Sequence, residues 1–265
     1  MDHVMSDRGA EPAAVAPGTT GPVVCQLPAE GTKLARLWPE LIRGFSKIES
    51  THCSLSACTL LVSSGHRRRA PLSPRDVEVL ERALLAGSRK SVAVDFDLCP
   101  SAIAEILRRS LSFMGLSCWP SRIPFVVVMA AHARHALGDE PAESRISHKT
   151  PPLTRESVSV PRPDNALARC LPPAECAVAR LLIEGKSYLE IARARQTSPR
   201  TVANQLASAF DRMGVSGRPE LLCTLAKQQV QHWQSWPVSS VVVQRPSSAA
   251  ARSPVGFVKV SGAQR

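Results

Sequence analysis

A repeat with a spacing of about 99 residues organises this chain of 265 residues. When the sequence is shifted by that distance, residues 72–117 align with residues 171–216, and identical residues recur in the same order. The aligned pairs include Leu72 and Leu171, Pro74 and Pro173, Val79 and Val178, Ala93 and Ala192, Pro100 and Pro199, Leu107 and Leu206, and Met114-Gly115 with Met213-Gly214. Self-similarity at a fixed spacing is the signature of a duplicated structural unit. We therefore predict two tandem copies of one fold.

The second copy has the pattern of short helices separated by tight turns. Val178, Leu181 and Leu182 form an apolar stripe that stops at Gly185, a residue type that commonly ends helices. Ser198 is a good N-cap and Pro199 a good first helical residue, so a further helix is predicted to begin there. The predicted buried face of that helix comprises Val202, Leu206, Phe210 and Met213. A tight turn before this last helix predicts a helix-turn-helix unit.

The opposite face of the same predicted helix has the composition of a DNA-reading surface. It carries Arg200, Asn204, Ala207, Ser208 and Asp211. Arg and Asn can hydrogen-bond base edges, and small residues let a helix approach the floor of the major groove. A helix face that is merely solvated would more often carry pairs of Lys and Glu. The pattern therefore favours contact with DNA.

The charge balance indicates a polyanionic partner. The chain has 33 Lys and Arg against 22 Asp and Glu, a formal net charge of +11. Such an excess favours nucleic acid first and an anionic membrane surface second. The longest apolar run, 125–131, is too short to cross a bilayer, and the first residues do not resemble a secretory signal. We expect a cytoplasmic protein without a membrane partner.

Other classes of function find little support in the composition. Aromatic residues make up 4% of the chain, with Tyr188 as the single tyrosine, which disfavours a large cofactor pocket. The eight cysteines form no Cys-x-x-Cys pair, so neither a disulfide framework nor a structural metal site is expected. The sequence contains no recognisable set of nucleophile, base and orienting residue and no phosphate-binding loop. We predict that the protein is not an enzyme and has no cofactor.

Composition along the chain predicts five segments. Residues 1–32 are expected to be a disordered leader, 139–165 a linker rich in Pro and Ser, and 234–265 a flexible tail. Residues 33–138 are predicted to contain a helix, a hairpin of strands 47–53 and 57–63, and the first copy of the repeat. Residues 166–233 hold the second copy. The predicted fold class is mainly α, with two tandem four-helix units, a short β-hairpin before the first and disordered termini.

Residues 171–226 resemble the LuxR-type, or GerE-type, helix-turn-helix domain of bacterial transcription regulators. The matching elements are Glu175, the turn at Gly185, Glu190-Ile191-Ala192, Ser198 with Arg200-Thr201-Val202, Gly214-Val215-Ser216, and Arg218-x-Glu220-Leu221. The resemblance implies a four-helix domain whose third helix enters the major groove of double-stranded DNA. It also implies that the fourth helix, about 219–230, can supply a dimer contact, so a homodimer is one of the open alternatives.

By position in the family motif, the resemblance implies a set of DNA-binding residues. They are Ser198, Arg200, Thr201, Asn204, Gln205 and Ser208, with Lys186, Ser187 and Arg218 near phosphates. This sequence departs from the family pattern at Ala203 and Ala207, where family members frequently place a basic or polar base-reader. We therefore expect fewer direct contacts with base edges here than in those family members.

The first copy resembles a diverged member of the same family. It retains Leu72, Arg75, Glu78, Val79, Leu80, Gly87 and Met114-Gly115. Glu105 takes the place of Asn204, and a carboxylate at that position is repelled by phosphates. Residues 72–132 hold seven basic and six acidic residues, net +1, whereas 166–228 hold nine and five, net +4. The second copy is therefore predicted to be the better DNA binder, and the first either an interaction module or a second DNA contact.

These patterns predict a bacterial DNA-binding transcription regulator. The alternative is a protein-interaction module on the same scaffold, with RNA polymerase or another regulator as its partner and no specific DNA binding. The sequence leaves the operator, the direction of regulation and the input signal open.

Overall fold

Apolar residues at helical spacing account for most elements of the computed structural model, which describes residues 28–65, 70–118, 120–138 and 154–235. Within these ranges the fold is mainly helical, with one small antiparallel sheet. Its helices are α1 (Ala29–Ile42), α2 (Pro74–Ala86), α3 (Arg89–Asp95), α4 (Pro100–Phe113), α5 (Phe125–Leu137), α6 (Asp164–Cys170), α7 (Pro173–Ile183), α8 (Tyr188–Ala194), α9 (Pro199–Arg212) and α10 (Arg218–Gln234). None of these helices is long and apolar enough to cross a membrane.

The sheet has three antiparallel strands in the order β1-β2-β3. Strands β1 (Ser46–Cys53) and β2 (Ala57–Ser64) pair from Ser46 opposite Ser64 to Cys53 opposite Cys58, which confirms the predicted hairpin. The third strand, β3 (Thr154–Pro161), pairs with the other edge of β2. The central strand buries Cys58, Leu60 and Val62, in agreement with its alternating pattern.

Strand β3 corrects the prediction of a linker over residues 139–165. Residues 154–161 pair along the whole of β2, and α6 begins at Asp164. Only Val158 and Val160 of this strand are buried, because an edge strand can keep its other face in water. Two buried valines among polar residues and prolines give only a weak strand pattern. The composition of residues 154–161 is therefore closer to that of a loop. Residues 139–153 lie outside the described residues.

The bounds of α1 and α10 also differ from the predicted boundaries. Helix α1 begins at Ala29, inside the predicted leader, and α10 continues to Gln234. Helix α1 buries Leu34, Leu37, Trp38 and Leu41, and the Trp38 indole nitrogen donates a hydrogen bond of 2.7 Å to the carboxylate of Glu81 on α2. The rest of the predicted leader, 1–27, and of the predicted tail, 236–265, lies outside the described residues.

Helix α5 lies at the joint between the two halves of the described fold, residues 28–138 and residues 154–235. Every residue from Phe125 to Ala133 is buried, because α1, α2, β2 and α10 pack around this helix. The joint also includes a hydrogen bond of 2.8 Å from the Cys223 thiol on α10 to the Leu84 carbonyl on α2. The turn after α2 lies against the start of α10, where a Cβ added at Gly87 would be 2.7 Å from the Cα of Glu220.

His132 of α5 makes the stability of this joint depend on pH. Burial lowers the pKa of His132 to about 4, and the positive charges of His135 and Lys227 act in the same direction. As the pH falls, the His132 imidazole is therefore protonated near pH 6.5 in the unfolded state but only near pH 4 in the folded state. The contribution of His132 to the free energy of unfolding is fully present above about pH 6.5. It is lost as the pH falls to about 4, by about 3 kcal/mol in total.

We expect the urea midpoint of the wild-type chain to fall as the pH is lowered from 7 to 4.5. In His132→Leu the decline over this range should be smaller. The matched control is His52→Leu, which replaces an exposed histidine on β1 and should retain the wild-type slope. An unchanged slope in His132→Leu would refute the assignment.

Candidate nucleic-acid interface

Local sequence signals build the helix-turn-helix of α8 and α9. Ser187 caps α8 in a capping box with Glu190: the Ser187 hydroxyl accepts from the Glu190 backbone N–H, and the Glu190 carboxylate accepts from that of Ser187. The turn after α8 places Gln196 at φ +51°, in the left-handed region. Ser198 then caps α9, accepting a hydrogen bond of 3.0 Å from the Thr201 N–H. The direction of α9 is thus fixed at its first turn.

Three buried residues determine which side of α9 faces the solvent. Val202, Leu206 and Ala209 are at most 2% exposed, and α9 packs against α7 and α8. Phe210 and Met213, predicted to be buried with them, are partly buried at the edge of this contact. The opposite side of α9 must therefore point away from the domain core.

The outward side of α9 is open, as the sequence predicted. Arg200, Thr201, Asn204, Ala207 and Asp211 are all exposed. Within the described residues, the side chains of Arg200 and Asn204 have no hydrogen-bond or ion-pair partner. The Thr201 hydroxyl lies 2.9 Å from the Ser198 hydroxyl at the helix start. This side offers guanidinium and amide donors with no competing carboxylate bonded to them.

Two of the predicted DNA-binding residues lie on the flank of α9 that faces α7. The Ser208 hydroxyl donates a hydrogen bond of 2.8 Å to the carboxylate of Glu175, which also pairs with Arg212 at 3.2 Å. Gln205 is half-buried, and its side-chain oxygen is enclosed without a hydrogen-bond partner in the described structure. Ser208 is thus engaged in holding α9 on α7 and is a poorer candidate for a base contact than Asn204.

Arg218 is used differently from the role that the resemblance implies. Its guanidinium donates to three backbone carbonyls, those of Leu182 (3.0 Å), Ser121 (2.7 Å) and Ile123 (2.8 Å). Burial lowers the pKa of Arg218 to about 10. The placement near phosphates is corrected, because all of these donors point into the joint between α7 and the segment leading to α5.

Lys186 and Ser187, the two predicted residues at the start of α8, differ in how far their polar groups are already engaged. Lys186 is exposed, and no ion pair holds it within the described structure. Ser187, in contrast, has both its N–H and its hydroxyl engaged with Glu190. Hydrogen bonds from the side chain and the backbone of Ser187 lower the pKa of Glu190, so this carboxylate stays charged beside the cap. Lys186 is therefore the better candidate for a phosphate contact.

One cation beside the interface was missed in the sequence analysis. Arg193, near the end of α8, is exposed and lacks an ion-pair partner among the described residues. Together with Lys186 and Arg200 it gives the helix-turn-helix three exposed positive side chains without an ion pair in the described structure; the half-buried Arg195 also lacks one. Its place one turn before the Ser198 cap, in a basic stretch that includes Arg195, is the signal that could have identified it.

The corresponding helix of the first half, α4, presents a face of another kind. Arg108 forms an ion pair with Glu105 on the same helix, and both Nη2 contacts of Arg109, 2.8 and 2.9 Å, go to the carboxylate of Asp76 on α2. These four side chains sum to zero charge. The α4 face is exposed, but its arginines are already paired.

Comparisons with known proteins identify one domain. Residues 170–225, from the last residue of α6 into α10, match the family model of bacterial regulatory proteins, luxR family (GerE). The chain therefore carries a LuxR-type helix-turn-helix domain over these residues. Neither curated proteins nor solved structures give a match. The family match does not extend to residues 72–132, so the upstream copy stays a prediction.

Proposed function

We propose that this chain is a DNA-binding transcription regulator that inserts α9 into the major groove of double-stranded DNA. The observation that carries the proposal is the outward side of α9, where Arg200 and Asn204 are exposed and have no partner among the described residues, on the third helix of a LuxR-type domain. Arg recognises guanine, and Asn recognises adenine, through paired hydrogen bonds to the base edges in the major groove. Ala207 leaves room for the helix axis to approach those edges.

The experiment that tests this function is selection of genomic fragments by the purified full-length chain. We expect recovered fragments to share a short sequence and to bind more tightly than random fragments at moderate salt. If every fragment binds with the same, strongly salt-dependent affinity, only the phosphate backbone is being contacted. That result would favour the protein-interaction alternative.

Lys186 provides a prediction about the non-specific part of the binding. Lys186→Ala should weaken binding to selected and random duplexes alike, because a phosphate contact carries no sequence information. The slope of log affinity against log salt should decrease by about one. Fluorescence anisotropy titrations at several salt concentrations measure both quantities. Lys33→Ala is the control, since it removes one exposed positive charge from α1. If Lys186→Ala weakened binding to the selected duplex alone, the assignment of Lys186 to a phosphate contact would be contradicted.

We further propose that α2–α5 form a second, diverged copy of the same unit. Left-handed turn residues recur in equivalent places: Gly87 and Gly185, Asp97 and Gln196, Gly115 and Gly214. An acidic residue near the start of the first helix also holds the third helix in both halves, through Asp76 with Arg109 and Glu175 with Ser208. Each of these pairs is separated by 98 or 99 positions, which supports the repeat.

The contacts between the two halves support a pairing of the copies within one chain. The Gly87 turn lies on the start of α10, and the Gly185 turn lies near the segment before α5, where an added Cβ would be 3.8 Å from the Arg122 carbonyl oxygen. Helices α5 and α10 pack on each other, and Val128 and Cys223 line the same small cavity of about 20 Å³. Reciprocal contacts of this kind are typical of two-fold interfaces.

This pairing assigns different roles to the two copies. The buried residues of α10 include Leu222, Ala226 and Val230 in the single chain, so a homodimer formed through the same face would have to displace part of the joint. The arginines of α4 are paired with Glu105 and with Asp76 of α2, and these four charges cancel, which favours an interaction role over a second specific DNA contact. We therefore propose that the first copy acts as the partner of the LuxR-type domain within the chain.

A further inference from the structure

Two cysteines face each other at the turn end of the hairpin. Cys53 is the last residue of β1 and is the cross-strand partner of Cys58 in β2. The next pair along the hairpin carries the backbone hydrogen bond, from the Ser54 N–H to the Ala57 carbonyl, so Cys53 and Cys58 occupy a non-hydrogen-bonded pair. Cα atoms in such pairs are about 4.5 Å apart, within the range that a disulfide can span.

The two thiols have different environments. Cys53 is half-buried, and hydrogen bonding from Cys58 lowers the pKa of its thiol, helped by the positive charge of Arg162. Cys58 is fully buried, and its hydrogen bond with Cys53 and its burial raise the pKa of its thiol. A partly exposed thiol with a lowered pKa beside a buried thiol with a raised pKa is the arrangement of an attacking and a resolving cysteine.

Arg162 fixes this pair at the contact with the LuxR-type domain. Its Nη1 atom donates to the Ser54 carbonyl (2.9 Å) and to the carboxylate of Glu184 (2.8 Å), which follows α7. Its side chain is 4% exposed. The hairpin end that carries the two thiols is therefore linked directly to the turn between α7 and α8.

We propose that Cys53 and Cys58 form a reversible disulfide site whose substrates are hydroperoxides. The Cys53 thiolate attacks one oxygen of hydrogen peroxide, the O–O bond breaks, and the departing hydroxide takes up the proton that the Cys53 thiol lost, giving water and a sulfenic acid. The Cys58 sulfur then attacks the Cys53 sulfur. The S–S bond forms, the S–O bond breaks, and the hydroxyl leaves as water with the Cys58 proton. Two thiols and one hydrogen peroxide give one disulfide and two waters.

The test is limited peroxide oxidation of the full-length chain, followed by alkylation of the remaining thiols and mass spectrometry of tryptic peptides. Both cysteines lie in the peptide 48–67. We expect this peptide to lose two hydrogen atoms and to escape alkylation at both cysteines, whereas the exposed Cys99 and Cys170, which lie in other peptides, report the oxidation of single thiols. Dithiothreitol should restore alkylation at both positions. Cys53 and Cys58 that remain alkylated at peroxide doses that oxidise Cys99 completely would overturn the proposal.

Single variants identify the order of the two steps. Cys58→Ser removes the resolving thiol, so Cys53 should accumulate as a sulfenic acid that dimedone captures. Cys53→Ser should leave Cys58 reduced under the same conditions, because its thiol is buried. Capture of Cys58 in Cys53→Ser, at the rate seen for Cys53 in Cys58→Ser, would refute the assigned order.

Discussion

Arg200→Ala and Asn204→Ala should each reduce specific DNA affinity by about 1–3 kcal/mol, roughly 5-fold to 150-fold in Kd. Both side chains lie on the exposed side of α9, and neither has a partner within the described residues that truncation would leave unsatisfied. Folding stability should therefore be nearly unchanged, since surface substitutions of this kind usually shift it by less than about 0.5 kcal/mol. Anisotropy titrations with a selected fragment, together with thermal melts, separate the two effects.

The matched control for Arg200 is Arg108→Ala. Arg108 is an exposed arginine on α4, the helix aligned with α9, but it is bonded to Glu105. Its removal should change specific affinity by less than 2-fold if α4 makes no base contact. Equal losses for Arg108→Ala and Arg200→Ala would mean that both halves read DNA. Unchanged retardation of selected fragments in Arg200→Ala would contradict the role given to α9.

Gly87→Ala should destabilise the protein by about 2–5 kcal/mol. Gly87 has φ +71°, and a left-handed conformation costs an alanine about 1–2 kcal/mol. The added Cβ would also lie 2.7 Å from the Cα of Glu220 and 3.1 Å from its backbone nitrogen. Backbone atoms cannot rotate away, so α10 must move, and overpacking of this kind costs about 1–3 kcal/mol.

Gly185→Ala separates the two contributions. Gly185 occupies the aligned position in the second half and has φ +86°, but an added Cβ would meet no atom closer than 3.8 Å. We expect a loss of only about 1–2 kcal/mol there, from the backbone conformation alone. Urea unfolding of both variants measures the difference. Equal losses of unfolding free energy in the two variants would show that a Cβ at Gly87 does not clash with α10. The proposed pairing of the two halves would then lose its main contact.

Local signals in the sequence predict the helices well. Ser187, Ser198, Pro199 and the apolar residues at three- and four-residue spacing are sufficient to outline α8 and α9, because capping and burial act within one or two turns. The exposed side of α9 follows directly from that periodicity. Arg200 and Asn204 are accordingly found where the sequence analysis expects them.

Contacts between distant segments are what the sequence analysis could not supply. Strand β3 depends on Val158 and Val160 meeting β2 almost a hundred residues away, and its own composition resembles a loop. Arg218 matches a family position, but the carbonyls of Ser121 and Ile123, which hold it, belong to the other half of the fold. The same limit applies to Arg162, whose partners Ser54 and Glu184 become neighbours only after folding.

Methylation protection of a selected fragment by dimethyl sulfate tests the placement of α9 most directly. The reagent modifies N7 of guanine in the major groove and N3 of adenine in the minor groove, so each lane reports both grooves. The wild-type chain should protect guanine N7 within the shared sequence, and Arg200→Ala, at a concentration that saturates the duplex, should restore methylation of at least one guanine. Protection confined to adenine N3, or guanine protection identical in Arg200→Ala, would contradict insertion of α9 into the major groove.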